Sequence, residues 1–121
     1  MARTAYAHDA VVVLDPGGDS VAPGGAITVA LCGHWDHEPP CPLAPHHTDA
    51  RPVGDGTLRL RVLLAADPRD EARVRSLIGQ ALASGRLTGP DGRVTTWTVR
   101  ASAPGTIRPD EADHAARLAA G

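Results

Sequence analysis

Hydrophobic and polar positions alternate most regularly in "TLRLRVLLA" (Thr57 to Ala65). Leu58, Leu60, Val62 and Leu64 share one face there, and Arg59 and Arg61 the other. A strand is predicted, because successive side chains along a strand point to opposite faces. "DAVVVLD" (Asp9 to Asp15) is a β-branched run that ends in the turn signal "PGGD" and predicts a first strand. "AITVALCGHW" predicts a second. Ile27, Val29 and Leu31 alternate with Thr28, Ala30 and Cys32, and the same parity carried past Gly33 puts Trp35 on the apolar face and His34 beside Cys32. "VTTWTVRA" (Val94 to Ala101) predicts a fourth strand, with Trp97 and Val99 on one face and "PGT" breaking it.

The helical period is clearest in "DPRDEARVRSLIGQALASG". Val74, Leu77, Ile78, Ala81 and Leu82 form one apolar stripe. Asp67 suits the N-cap and Pro68 the first helical position, Asp70 and Glu71 complement the helix dipole, and Gly85 is the expected stop. "RPDEADHAARLAA" predicts a shorter C-terminal helix with Pro109 near its start and a weak apolar face.

The predicted order is β-β-β-α-β-α within a single domain, residues 1–121. Amphipathic strands with one long helix point to an α+β two-layer sandwich: a four-stranded, mostly antiparallel sheet with helices on one face. Between the second and third strands, "DHEPPCPLAPHHTDARPVGDG" (Asp36 to Gly56) is expected to be a long loop, stiffened by prolines 39, 40, 42, 45 and 52.

Composition narrows the function classes. Phe is absent, so the core rests on Val, Leu, Ile and Ala. All 12 basic residues are Arg, and the net charge is −2, without the basic footprint of a nucleic-acid binder. No run approaches the ~18 to 20 apolar residues of a membrane span, and the N-terminus lacks the parts of a signal peptide. The expectation is a cytoplasmic protein without nucleic-acid or membrane partners, in which the two cysteines are not a static disulfide. The Ala-rich C-terminal helix could pack on a second subunit as a homodimer.

The candidate chemistry is concentrated in "CGHWDHEPPCPLAPHHTD" (Cys32 to Asp49), with both cysteines and four of the six histidines. Imidazole and thiolate together are transition-metal donors. The expected ligands, in order, are His34, His37, Cys41, His46 and His47, with Cys32 last as a small buried residue. The spacing matches neither the C-x2-C pairs of zinc fingers nor H-E-x-x-H. Zinc is the expected cofactor, copper the alternative and iron third.

If three protein ligands leave an open position, the protein is a small metalloenzyme acting on a small-molecule substrate, with Glu38 or Asp36 as the acid/base group. The alternatives are a metal carrier or accessory protein, a structural-zinc domain, or a metal-free interaction module or Cys/His thiol site. Arg59 and Arg61 share a strand face where anion binding competes with plain solvation, and solvation is the expectation. His8 and His114 are expected to be isolated and exposed.

Overall fold

The computed structural model describes residues 3–32 and 44–120. Its strands are β1 (Thr4–Leu14), β2 (His46–Gly54), β3 (Thr57–Ala66), β4 (Arg86–Thr88) and β5 (Val94–Gly105). Its α-helices are α1 (Ala22–Cys32), α2 (Glu71–Ala83) and α3 (Ala112–Ala120). The strands form one antiparallel sheet in the order β2-β3-β1-β5-β4, curled into a half-barrel. The α+β class agrees with the sequence, but the sheet has five strands rather than four.

β3 is the strand that its alternation predicts. Leu58, Leu60, Val62 and Leu64 are at most 2% exposed and belong to the main core, with Val12 of β1 and Trp97 of β5. Trp97 also donates its indole N–H to the Leu82 carbonyl at 2.9 Å. α2 follows its sequence signals. Asp67 caps the single 3-10 turn Pro68–Asp70 that leads into the helix, and its carboxylate accepts from the Arg69 amide at 3.0 Å. Val74, Ile78 and Leu82 are buried. Gly85 ends the run at φ +67°, and a Cβ there would come within 2.8 Å of the Trp97 carbonyl oxygen.

Three expectations are corrected. The run read as a second strand is α1. Pro23, Ala26, Ile27 and Leu31 are buried at helical spacing, whereas Val29, apolar under the strand reading, is only half-buried. Asp19 sets the helix start: its carboxylate accepts from Val21 N at 3.1 Å and its carbonyl from Ala22 N at 3.1 Å. The second correction concerns residues 46–54, placed in the Pro/His-rich loop by the sequence. They form β2, an edge strand, where Pro52 is tolerated because one side of the backbone has no ladder to feed. The segment before it follows a helix, not a strand.

The third correction is that helices lie on both faces. α1 and α2 pack on each other over the even-numbered face of β3. α3 packs on β3 and β1, on the odd-numbered face, where Leu63 and Ala65 are buried. β1 also begins at Thr4, before the predicted Asp9, and β5 runs past the predicted break to Gly105. No helix among the described residues is long and apolar enough to cross a membrane.

The helical register of α1 is testable by contrast. Ile27→Ala should lower unfolding free energy by about 2–5 kcal/mol, as expected for a fully buried aliphatic side chain. Val29→Ala should cost about 1 kcal/mol or less, since it loses half-buried surface and gains helix propensity. Urea denaturation compares them, and equal losses would restore the strand reading.

Candidate functional site

Of the predicted metal ligands, His34, His37 and Cys41 lie outside the described residues, as do the acid/base candidates Asp36 and Glu38. His46 and His47 are described, at the start of β2. As neighbours on a strand they point to opposite faces and do not converge on one ion.

His46 belongs to the core face. Its Nδ1 lies 3.1 Å from the Ala44 carbonyl oxygen, which can only accept, so Nδ1 carries a proton. Its Nε2 faces the Thr28 hydroxyl of α1 at 3.1 Å, and that hydroxyl also reaches the Gly24 carbonyl at 3.2 Å. With Nδ1–H held in this way, a neutral ring has Nε2 as its acceptor, the form in which histidine binds metals, while the Thr28 hydroxyl has a single proton for either Nε2 or the Gly24 carbonyl. Around it, a cleft of about 380 Å³ opens between α1 and β2, lined by residues including Ser20, Thr28, His46 and Thr48. Thr48 Oγ1 is buried there without a hydrogen-bond partner among the described residues.

His47 meets a residue that sequence spacing does not connect to it. Its ring centroid lies 4.9 Å from that of His114 on α3, with the planes tilted by 54°. His114 is thus not isolated. The two are 67 positions apart, and only the docking of α3 on the odd face joins them. Among the described residues, no group of three or more His, Cys, Asp or Glu side chains is arranged to hold a metal.

Cys32 corrects a further expectation. It is disulfide-bonded. The chain has two cysteines, so a disulfide at Cys32 and a thiolate–metal bond exclude each other.

His8, expected to be exposed, is 5% exposed on the core face of β1. Its parity with Tyr6, Ala10 and Val12 is the signal that would have placed it, had the strand been started at Thr4. Its Nε2 lies 2.9 Å from Ser102 Oγ and its Nδ1 3.2 Å from Arg75 Nη1. A guanidinium only donates, so Nδ1 accepts and Nε2 carries the proton. Nε2 then donates to Ser102, the reverse of what a base activating a serine nucleophile must do. The pair is a structural bond across the β1–β5 ladder. Burial, and then Arg75, hold the His8 pKa below its ordinary value against the opposing pull of Asp9.

Arg61 organises the odd face. Its Nη1 donates to both oxygens of Asp9, at 2.8 and 3.1 Å. Nε and Nη2 form a fork onto Glu111 at 3.1 and 2.7 Å, and Nη2 also donates to the Thr106 carbonyl. Glu111 further accepts from the Arg108 amide at 2.9 Å. A Cβ at Gly105 would collide with the Asp9 carboxylate, so glycine makes room for this pair. The Arg61 hydrogen bond, more than any other contact, lowers the Glu111 pKa to about 2.

No protein-family model matches the chain, and no curated protein sequence is significantly similar to it.

Two pH effects follow. The folded pKa of His8 is below its unfolded value of 6.5, so the unfolded chain binds the proton more readily. The stability that neutral His8 contributes is present above pH 6.5 and falls away as the pH drops below it. Urea midpoints at pH 7.5 and 5.5 should differ less in His8→Gln than in the wild type. Glu111 contributes stability above its unfolded pKa of 4.5, lost as the pH falls through about 2. Glu111→Gln should lower stability at pH 7 and flatten the acid loss in that window, read by circular dichroism.

Proposed function

We propose that the protein binds a divalent transition-metal ion, zinc before copper and iron, with His46 as the ligand contributed by the sheet. The observation that carries this reading is the contact of His46 Nδ1 with the Ala44 carbonyl. A backbone carbonyl holds Nδ1–H and so presents Nε2 as an acceptor, the usual way a protein orients a ligating imidazole. His46 faces α1 one turn before Cys32, at the end from which the chain leaves α1. His34 and His37 are the proposed partners, and Cys41 joins them only in reduced protein. A cytoplasmic location is part of this reading, since thiols are kept reduced there.

A metal held by three such side chains keeps a position for water and lowers the pKa of that water. Glu38 or Asp36 is the proposed acid/base group, and a small molecule the proposed substrate. A closed four-ligand site would instead suit a carrier or a structural role. The His47–His114 pair supports a second reading, a surface site shared by β2 and α3.

The test is zinc titration of untagged, chelator-stripped protein against a chromophoric competitor, with and without reductant. The wild type should bind about one equivalent, and His46→Ala and His34→Ala should each weaken binding by at least about tenfold. Thr28→Val, which only removes the hydroxyl facing Nε2, should not weaken it. A wild type that takes up no zinc ends the metal reading. Loss confined to His47→Ala and His114→Ala transfers the site to the second pair.

A further inference from the structure

The odd face of β2, β3 and β1 carries a hollow of about 370 Å³, separate from the His46 cleft. Its lining includes Asp9, Asp49, Arg51, Arg59, Arg61 and Arg108. Hairpin register arranges these charges in rows across the strands. In one row Asp49 stands opposite Arg61, and Arg61 opposite Asp9. In the next, Arg51 stands opposite Arg59, and Arg59 opposite Val11.

The two rows differ in their charge balance. Arg61 is neutralised by Asp9 and Glu111, and Arg108 pairs with Glu111 and Asp110. Arg51 and Arg59 have no hydrogen bond or ion pair among the described residues, although their Cβ atoms are direct cross-strand neighbours, normally about 4.5–5.5 Å apart. Like charges so placed repel, and among the described residues no carboxylate is bonded to either arginine, although Asp49 and Asp9 stand one row away on the same face. Among the described residues, Asp49 is the lining carboxylate without an ion pair, and it belongs to the other row.

We infer that this hollow binds a dianionic phosphoryl group, held between the Arg51 and Arg59 guanidinium groups. Two forks with no partner match a tetrahedral dianion. It offers three terminal oxygens and two charges, where a single carboxylate would satisfy one fork. Bound between them, the group turns cross-strand repulsion into two attractive contacts. The Arg61 network fixes the neighbouring floor, so little ordering is left for the ligand to impose. The hollow is larger than inorganic phosphate needs, and Asp49 can accept from a hydroxyl. Both features favour a small phosphate monoester that carries hydroxyl groups over the free ion. A solvated face, expected from the sequence, would place the same arginines without giving them selectivity.

Calorimetric titration at constant ionic strength tests this, with inorganic phosphate and glycerol 1-phosphate as probes and chloride and acetate as controls. The wild type should bind at least one phosphoryl probe saturably and neither control. Arg51→Ala and Arg59→Ala should each weaken binding by about tenfold or more, the loss expected for a charge-assisted contact. Arg59→Lys, which keeps the charge and loses the fork, should also weaken it. Arg73→Ala, an exposed position on α2, should bind as the wild type does.

Tighter binding of the ester identifies a monoester as the ligand, and tighter binding of phosphate identifies the free ion. Thermal melts provide an independent readout, since phosphate should raise the Tm of the wild type and leave that of the doubly substituted Arg51→Ala/Arg59→Ala protein unchanged. No saturable binding at millimolar probe overturns the inference. So does equal binding by the Arg59→Ala and Arg73→Ala proteins.

Discussion

The alternation of β3 is the constraint on which the rest of the structure depends. Its even positions, Leu58 through Leu64, must leave water together, and they do so only if something covers the whole face. α1 and α2 provide that cover. Antiparallel pairing then passes the same parity to the neighbouring strands, so Val12 joins the core and Asp9 does not. β3 also divides its odd face. Arg59 and Arg61 stand toward the β2–β3 turn, while Leu63 and Ala65 stand at the other end and require cover of their own. α3 covers that apolar end.

Arg61 marks the boundary between the two ends. Its side chain is 15% exposed and Glu111's is 11%, so the pair is shielded enough for its geometry to matter and satisfied enough not to strand a charge. By holding Asp9 on the sheet and Glu111 before α3, it joins the sheet to the helix that covers it. Carboxylate charge is thereby concentrated around one arginine, and the next row is left cationic. The polar face therefore has a structure of its own, with one arginine ion-paired and an adjacent two that form no ion pair among the described residues.

The histidines are distributed by the same logic. His8 is drawn into the core by the parity of β1, and the Arg75 guanidinium fixes its tautomer. His46 enters the cleft beside α1, and His47, one residue on, emerges on the other face against α3. Two histidines adjacent in sequence are thus turned to opposite faces by a strand. For His8 and His46 the neighbours decide which nitrogen carries the proton.

Much of the frame was legible in the chain. β3, α2 with its Asp67-Pro68 start and Gly85 stop, and the burial of Trp97 follow from local period and capping chemistry, which act within a few residues. The segment 22–32 was not legible. Ile27 and Leu31 satisfy both a helical and an alternating pattern, and a short apolar run carries too few positions to separate them. The choice falls to packing: Gly24 lets the helix approach Thr48, where an added Cβ would lie at 3.3 Å. β2 was hidden because an edge strand needs neither an apolar face nor an unbroken row of amides, and Pro52 removed the remaining signal.

Residue identities placed arginines on one strand face and histidines in one stretch. Only the tertiary structure set Arg51 against Arg59, Arg61 against Glu111 and His47 against His114. Those pairings depend on hairpin register and helix docking, which are long-range and leave no periodic trace in the sequence.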